Sequence, residues 1–163
     1  MANTRIVCNA GPLISLARID RLDILPALYD EIVVSPAVHR EITNDDSLPG
    51  ARALAEADWL KLVEVRDRGA LEHLSSSLDA GEAETLALAR ELRSTAAIDE
   101  KRGRRFAEEL GIPQTGTVGI LLTAKRRGLI PFVRPLLDQL TEKGVRLSAR
   151  LYEEACHLSG ETY

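Results

Sequence analysis

Short apolar runs alternate with longer helix-forming stretches, and this alternation constrains the fold more than any other feature of the sequence. Strands are predicted at residues 6–8, 31–34, 60–65, 96–98 and 112–114. Helices are predicted at residues 13–17, 22–29, 35–42, 50–57, 82–90, 102–110, 115–127, 131–143 and 148–158, and residues 66–77 stay unassigned. Parallel strands need crossover connections, so the pattern predicts an α/β fold whose central, mostly parallel sheet is covered on both faces.

Composition limits the chain to one folded unit and excludes some classes of partner. The 163 residues are 45% hydrophobic and 28% charged, which suffices for one core and is atypical of disorder. We therefore predict a single domain over residues 1–163. A net charge of -4 excludes binding of nucleic acid through bulk positive charge, and 4% aromatic residues argue against a stacking platform for bases.

Cysteine usage and hydropathy predict a cytoplasmic protein without a membrane partner. The two cysteines, Cys8 and Cys156, lack metal-ligand spacing and favour a reducing compartment. We find no apolar run of the roughly 20 residues that a membrane span requires, and no basic stretch followed by an apolar run at the N-terminus.

Polar side chains follow the predicted strands or open the next helix. They are Asn9, Glu41, Asp79, Glu82, Glu84, Asp99 and Glu100. Ligands of parallel α/β sheets gather beyond the carboxyl ends of the strands, so these residues form a candidate site. Hard oxygen ligands suit Mg²⁺ or Mn²⁺, and a metal-bound water there can attack a phosphodiester.

Each of these residues also has an ordinary structural interpretation. Asp79 and Glu82 can complement a helix dipole, Asn9 and Asp99 can cap helices or turns, and Glu41 can lie on a solvated helix face. The residues alone therefore predict an acidic site without specifying a reaction.

Four segments, in order along the chain, resemble the PIN-domain family, and in particular a prokaryotic branch of it. They are Asn9-Ala-Gly-Pro-Leu-Ile14, Gly81-Glu-Ala-Glu84, Asp99-Glu-Lys-Arg-Gly-Arg104 and Thr115-Gly-Thr-Val-Gly119. The resemblance implies a three-layer α/β/α sandwich and an endoribonuclease that uses Mg²⁺ or Mn²⁺. It further implies RNA as substrate, a role as the toxin of a toxin–antitoxin pair, an antitoxin protein as partner and a homodimer.

By this resemblance, the metal ligands are Asn9, Glu41, Glu82 and Asp99. Glu100 is a further catalytic candidate that the sequence does not separate from Asp99. The same resemblance puts Asp79, Thr115 and Thr117 beside the site.

Asn9 stands where the family usually has an aspartate. Its amide oxygen can bind a metal, but the site loses one negative charge. A competing hypothesis is therefore a PIN-like module that binds nucleic acid or protein without efficient cleavage. A phosphoacceptor receiver domain fits poorly, because no acidic pair follows the first predicted strand.

Basic residues follow the acidic pair directly. Lys101, Arg102, Arg104 and Arg105 are predicted to bind RNA phosphates, or else to pair with Glu108 and Glu109 on a solvated face. Residues 125–127 either contact RNA or complement a helix C-terminus. Leu136, Leu137 and Leu140 either cover the sheet or mediate association with a second copy or an antitoxin.

Overall fold

The computed structural model describes residues 4–161, in which five strands form one parallel sheet. They are β1 (Arg5–Cys8), β2 (Glu31–Val34), β3 (Leu60–Leu62), β4 (Thr95–Ala97) and β5 (Gln114–Thr115). Their order across the sheet is β3-β2-β1-β4-β5. In the centre, Val7 lies opposite Val33 on β2 and opposite Ala96 on β4. The predicted parallel sheet is thus confirmed.

Helices connect the strands and cover both faces of the sheet. In the described part of the chain they are α1 (Ala10–Arg18), α2 (Ile24–Leu28), α3 (Pro36–Thr43), α4 (Ala51–Glu56), α5 (Arg68–Ser75), α6 (Ala80–Glu91), α7 (Lys101–Glu109), α8 (Thr117–Arg126), α9 (Arg134–Glu142) and α10 (Ala149–Ser159). Successive strand side chains point to opposite faces, so Ile6 and Cys8 enter one apolar core and Val7 enters the other. The result is the predicted α/β/α sandwich.

The two apolar cores divide the helices between the faces of the sheet. Beside Ile6 lie side chains from α1, α8, α9 and α10, such as Leu13 and Leu121. Beside Val7 lie side chains from α5, α6 and α7, such as Leu86. The α6–α7 layer and the α1–α8 layer therefore meet at the carboxyl edge of the sheet, where these helices begin.

Several predicted boundaries are wrong by a few residues. The third strand ends at Leu62 rather than at residue 65, although Val63 still donates to the Val34 carbonyl. The fifth strand begins at Gln114, because Ile112 instead closes the end of α7 by donating its amide to the Ala107 carbonyl. The helix predicted from residue 131 begins at Arg134.

Side-chain hydrogen bonds explain the starts of two helices that were predicted differently or not at all. The unassigned stretch contains α5, whose N-terminus is capped by Asp67 accepting from the Ala70 amide at 3.0 Å. Residue 115 lies in β5 rather than in a helix, and α8 starts at Thr117, whose amide donates to Asp99. The strand predicted to end at Ile98 ends one residue earlier, at Ala97, although the Ile98 amide donates to Thr115 as a strand residue would.

The C-terminal helices belong to the core of the chain. Leu136, Leu137 and Leu140 are all buried among side chains of the first core, so these three residues cover the core of their own chain. No helix within residues 4–161 is both long and apolar enough to cross a membrane.

Glu161 joins three elements at this end of the chain. Its carboxylate accepts from the amides of Val133 and Arg134 at 2.7 and 2.9 Å, and from Lys125 Nζ at 3.0 Å. Lys125 also donates to the Ser159 carbonyl at 2.6 Å. Of the two interpretations of residues 125–127, the structure therefore supports for Lys125 the interaction with a helix C-terminus.

Candidate functional site

Asn9 lies at the switch point of the sheet, where the chain changes direction. The chain leaves β1 towards β2 and β3, then returns to β4 on the other side of β1, and such switch points open a crevice between strand ends. Asn9 follows β1, and its backbone amide donates to the Ala97 carbonyl of β4. It occupies the N-cap position of α1, yet its side chain makes no capping hydrogen bond. The capping interpretation of its side chain is therefore wrong.

Gly81 marks where the Asn9 and Glu41 side chains meet α6. A Cβ placed on Gly81 would lie 3.2 Å from Asn9 Oδ1 and 3.1 Å from Glu41 Oε2. The two oxygens thus border the same point on the first turn of α6. The packing of α3 against α6 brings the exposed Glu41 to this place. A Cβ at this position would crowd both oxygens, and this close approach favours glycine here.

Glu82 is the buried carboxylate of the site. Only 6% of the residue is exposed, and its Oε2 atom has no hydrogen-bond partner. Helix α7 passes over this oxygen at Gly103, where a Cβ would lie 3.0 Å from Oε2. A buried carboxylate oxygen without a partner is costly, and it needs either a proton or a cation.

Two neighbouring carboxylates act on the charge of Glu82. Burial, then a side-chain hydrogen bond with Asp79, then the negative charges of Asp79 and Glu100 raise the pKa of Glu82 to about 7. Burial and the same two charges also raise the pKa of Glu41. Glu41, Asp79, Glu82 and Glu100 therefore form one electrostatic group, which we call the acidic cluster.

Asp79 has a structural role within this cluster. It is the N-cap of α6, and its Oδ1 accepts from the Glu82 amide at 2.8 Å. Asp79 therefore lies at the start of a helix, which agrees with the interpretation that it complements the helix dipole. Glu84 accepts from the Ala37 amide at 3.2 Å and ties α6 to the start of α3.

Asp99 faces a different neighbour. Its two carboxylate oxygens accept from the amide and the hydroxyl of Thr117, each at 2.7 Å. Oδ2 also lies 3.4 Å from where a Cβ of Gly11 would be, beside the first turn of α1. Together with burial, the Asp99 charge raises the pKa of Cys8 to about 12, so this thiol stays protonated as a small core side chain.

Asp99 and Glu100, which the sequence did not separate as candidates, therefore have different neighbours in the structure. Glu100 acts electrostatically on Glu41 and Glu82, whereas Asp99 is fixed by Thr117 at the start of α8. Thr117 is buried next to Asp99, and the Thr115 hydroxyl lies beneath Gly119. Each of the sequence-predicted residues therefore lies at the carboxyl edge of the sheet, and their catalytic and metal-binding roles stay predictions.

The oxygen atoms of this edge fit a divalent cation. Within residues 4–161 no three His, Cys, Asp or Glu side chains are grouped closely enough to enclose one. The unpartnered Glu82 Oε2 and the side-chain oxygen of Asn9 are nevertheless both of the atom type that binds such an ion. All donors are hard oxygens, which Mg²⁺ and Mn²⁺ prefer.

A basic face borders the site on α7. Lys101, Arg102, Arg104 and Arg105 are all exposed. These side chains thus form a solvated face, although no ion pair within residues 4–161 joins them to Glu108 or Glu109. Arg104 Nε donates to Gln114 Oε1 at 3.0 Å, and Gln114 Nε2 returns a bond to the Arg104 carbonyl.

We did not predict from the sequence the role of two glycines, Gly81 and Gly103, at which other side chains approach the helix backbone closely. Gly81 and Gly103 lie inside helices, where glycine costs about 1 kcal/mol relative to alanine, so each needs a packing reason. That reason is contact with Glu41 and Asn9 at Gly81, and with Ile98 first and then Glu82 at Gly103. For Gly103 the available signal was its place within the helix predicted at residues 102–110, whereas Gly81 lies just before the helix predicted from residue 82 and carried no such signal.

Comparison with known proteins agrees with this geometry. No curated protein matches the sequence. A family model described as a PIN domain matches residues 5–161, which is nearly the whole chain. The parallel sheet and the carboxyl-edge position of the acidic residues have the arrangement expected from the resemblance. The chain belongs to the PIN-domain family.

Proposed function

We propose that this protein is a metal-dependent endoribonuclease that hydrolyses RNA phosphodiesters. The observation that carries the proposal is Glu82, a buried carboxylate whose Oε2 atom has no hydrogen-bond partner. The negative charges of Asp79 and Glu100 also disfavour its ionised form. A structural carboxylate in such surroundings would be paired with a cation or hydrogen-bonded to the backbone, as Glu161 is. Carboxylates with strongly perturbed pKa values are typical of functional sites.

The chain's own residues supply the parts that such a reaction needs. Glu82 and Glu41 would hold the ion, with Asn9 as a neutral ligand beside them. A bound Mg²⁺ or Mn²⁺ supplies polarisation of a phosphoryl oxygen and lowers the pKa of a coordinated water. Asp99, held in one orientation by Thr117, can accept a proton from an attacking water, and the arginines of α7 can hold flanking phosphates.

The test combines metal titration with cleavage of a fluorescently labelled RNA. The parent and the double variant Glu82→Gln/Asp99→Asn are stripped with chelator and titrated with Mn²⁺ by calorimetry. We expect binding and cleavage by the parent alone, with both proteins giving the same circular dichroism spectrum. Glu84→Gln is a matched control, because Glu84 lies on the same helix but binds the α3 backbone.

Two results would contradict the proposal. One is cleavage that survives in the pure double variant. The other is a folded parent that neither binds Mn²⁺ nor cuts any RNA in a randomised pool.

A module that binds without cleaving is the second candidate, and Asn9 favours it. Replacing the usual carboxylate by an amide removes one negative charge from the ion's surroundings and weakens the attraction for a divalent cation. Under this candidate, Asn9→Asp should raise Mn²⁺ affinity or create activity. The change Asn44→Asp, in the exposed loop after α3, is the control for added charge alone.

We further propose RNA as the natural substrate, an antitoxin protein as the restraining partner and a homodimer as the working state. Family membership supports all three. Light scattering of the purified chain tests the homodimer. Growth arrest on expression, relieved by the neighbouring gene product, tests the toxin role.

A further inference from the structure

Arg104 on α7 and Gln114 on β5 are joined by two hydrogen bonds that run in opposite directions. Arg104 Nε donates to Gln114 Oε1 at 3.0 Å, and Gln114 Nε2 donates to the Arg104 carbonyl oxygen at 3.0 Å. The glutamine thus binds both the side chain and the main chain of one arginine. Such a pair fixes where the guanidinium lies relative to the helix that carries it.

An amide side chain is suited to both of these bonds at once. The Nε–H group of an arginine needs an acceptor and a main-chain carbonyl needs a donor, and the glutamine amide supplies one of each. Turning the amide over would place donor against donor and acceptor against acceptor, so the bonds specify one orientation. A glutamate at position 114 could not donate to the carbonyl, and an asparagine would be one methylene shorter.

The sheet fixes the position of Gln114 itself. Strand β5 lies at one edge of the sheet, where Gln114 lies opposite Ala96 of β4 in parallel register. Directly before it, the Pro113 carbonyl accepts from the Ala96 amide at 2.8 Å. The backbone that carries the glutamine is therefore anchored, and the glutamine in turn anchors Arg104.

The bonds to Gln114 leave the terminal nitrogens of Arg104 available. Within residues 4–161, Nη1 and Nη2 make no hydrogen bond, and the residue is exposed. Nη1 lies 3.3 Å from where a Cβ of Gly116 would be, and Asp99 Oδ1 lies 2.7 Å from the same point. The guanidinium and the carboxylate therefore border one small space, although no ion pair joins them in the described part of the chain.

This small space is open to a ligand. Asp99, Arg104, Gln114 and Gly116 all line one cleft of about 360 Å³, between the start of α8 and helix α10. Because residue 116 is glycine, no side chain fills the gap between the guanidinium and the carboxylate. A phosphoryl group that approaches Asp99 through the cleft therefore also approaches the free nitrogens of Arg104.

The other arginines of α7 lack such an anchor. Arg102 and Arg105 are also exposed, but neither side chain has a hydrogen bond or an ion pair among the described residues. An exposed arginine loses rotamer entropy when a ligand fixes it. For Arg104 the bonds to Gln114 have removed part of this cost before any ligand binds.

We propose that Gln114 is a positioning residue, which holds the Arg104 guanidinium beside Asp99 for the negative charge that develops on a phosphoryl group during hydrolysis. Gln114 does not touch the substrate and acts only through Arg104. The role is electrostatic, so no proton passes through either side chain. The inference rests on the proposed function, and it separates Arg104 from Arg102 and Arg105, which would hold flanking phosphates.

The first measurement detects the positioning itself and needs no cleavage. NMR relaxation of the arginine Nε–H groups, recorded in chelator, compares Arg104 with Arg105 on the same helix. We expect an ordered Arg104 and a mobile Arg105. In Gln114→Met, whose side chain has a similar length but no N–H donor and only a weak acceptor, Arg104 should become as mobile as Arg105. The matched control Gln139→Met, at an exposed position of α9, should leave Arg104 ordered.

The second measurement tests what the positioning does for the reaction. Cleavage of a labelled RNA in Mn²⁺ is followed for Gln114→Met, Arg104→Ala and the double variant. We expect Gln114→Met to lower kcat about tenfold and to leave KM within about twofold, because the contact strengthens in the transition state. Arg104→Ala should lower kcat about a hundredfold, and adding Gln114→Met to it should cause no further loss.

Three results would overturn the positioning role. The first is an Arg104 side chain that is as mobile as Arg105 in the parent. The second is a Gln114→Met variant that unfolds at lower urea concentration but keeps the parent kcat, which would assign the pair to the packing of α7 on β5. The third is a double variant that loses more activity than Arg104→Ala. If Gln114→Met releases an ordered Arg104 but the parent cuts no RNA, the positioning is supported and the proposed function is contradicted.

Discussion

The Glu82 carboxyl is 6% exposed and faces two other acidic residues, with one oxygen unpaired. Without a cation, burial and the charges of Asp79 and Glu100 favour its protonated form. Its ordinary pKa is 4.5 and its folded-state pKa is about 7. The folded metal-free protein therefore loses stability as the pH rises through this interval, because the unfolded chain ionises first.

We predict that Glu82→Gln makes the metal-free protein more stable at pH 8, by about 1–3 kcal/mol. The difference should vanish near pH 4, where the parent carboxyl is protonated in both states. Urea unfolding in chelator at several pH values measures it, with Glu72→Gln on the exposed side of α5 as the matched change elsewhere. A glutamine variant less stable than the parent at pH 8 would show that the Glu82 charge is compensated within the chain.

Residue identity predicted the candidates here, but not how they are arranged. Asn9, Glu82 and Asp99 were found because they follow strands or open helices, and Glu41 because it lies on the helix after the second strand, which are local properties of the sequence. The partners of Asp99 and Glu100 depend instead on where α8 starts in space relative to β4. This tertiary arrangement cannot be predicted from a local sequence pattern. The sequence therefore left these two neighbours unresolved.

At the scale of elements, α6 is the helix on which the site depends. Its N-cap Asp79 fixes the first turn, Gly81 lets α1 and α3 approach, and Glu82 enters the site. Helix α5, its neighbour, has the same construction at its start, with Asp67 as N-cap and Gly69 in the first turn. A substitution in the first turn of α6 can therefore be compared with the same substitution in the first turn of α5.

We predict that Gly81→Ala weakens Mn²⁺ binding about tenfold, because its Cβ pushes Glu41 Oε2 and Asn9 Oδ1 apart by a few tenths of an ångström. Gly69→Ala should leave Mn²⁺ affinity unchanged, since its Cβ would meet only Asp67 Oδ1, at 3.6 Å. Both changes favour the helical state by up to about 1 kcal/mol. Calorimetric titration of the two variants gives the comparison, and equal Mn²⁺ affinities would show that the crowding at Gly81 has no effect.

The order of strands and helices could be predicted because hydrophobic periodicity, helix caps and glycines are local properties of the sequence. Ser35 and Pro36 begin α3 as predicted, with Ser35 accepting from the Val38 amide. The errors arose where tertiary bonds set a boundary. Ile112 reads as a strand residue by composition, yet its amide closes α7.

On the scale of the whole molecule, Glu161 secures the C-terminal helices to the rest of the chain. Burial alone would raise the pKa of its carboxyl, but the amides of Val133 and Arg134, together with Lys125 and Ser159, outweigh burial and lower it to about 2. Its side chain is only 9% exposed. Because the folded-state pKa lies below the ordinary 4.5, this contact stabilises the fold above pH 4.5 and loses its effect as the pH falls towards 2.

We predict that Glu161→Gln lowers the free energy of unfolding by about 1–2 kcal/mol at pH 7. The loss should shrink as the pH falls from 4.5 to 2, because the parent carboxyl then also becomes neutral. Thermal unfolding across this range measures it, and Glu153→Gln on the exposed side of α10 is the control. A constant difference at all pH values would assign the effect to shape rather than charge.

The return of the chain from β3 to β4 has a consequence for protein synthesis. A nascent chain that has left the ribosome only as far as α5 carries Asn9 and Glu41 but neither Glu82 nor Asp99. Thr117, which orients Asp99, follows later still, and the Glu161 contact closes last of all. The carboxyl-edge site can therefore assemble only after α8 has been made, so under the proposed function RNA cleavage would begin only after that point in translation.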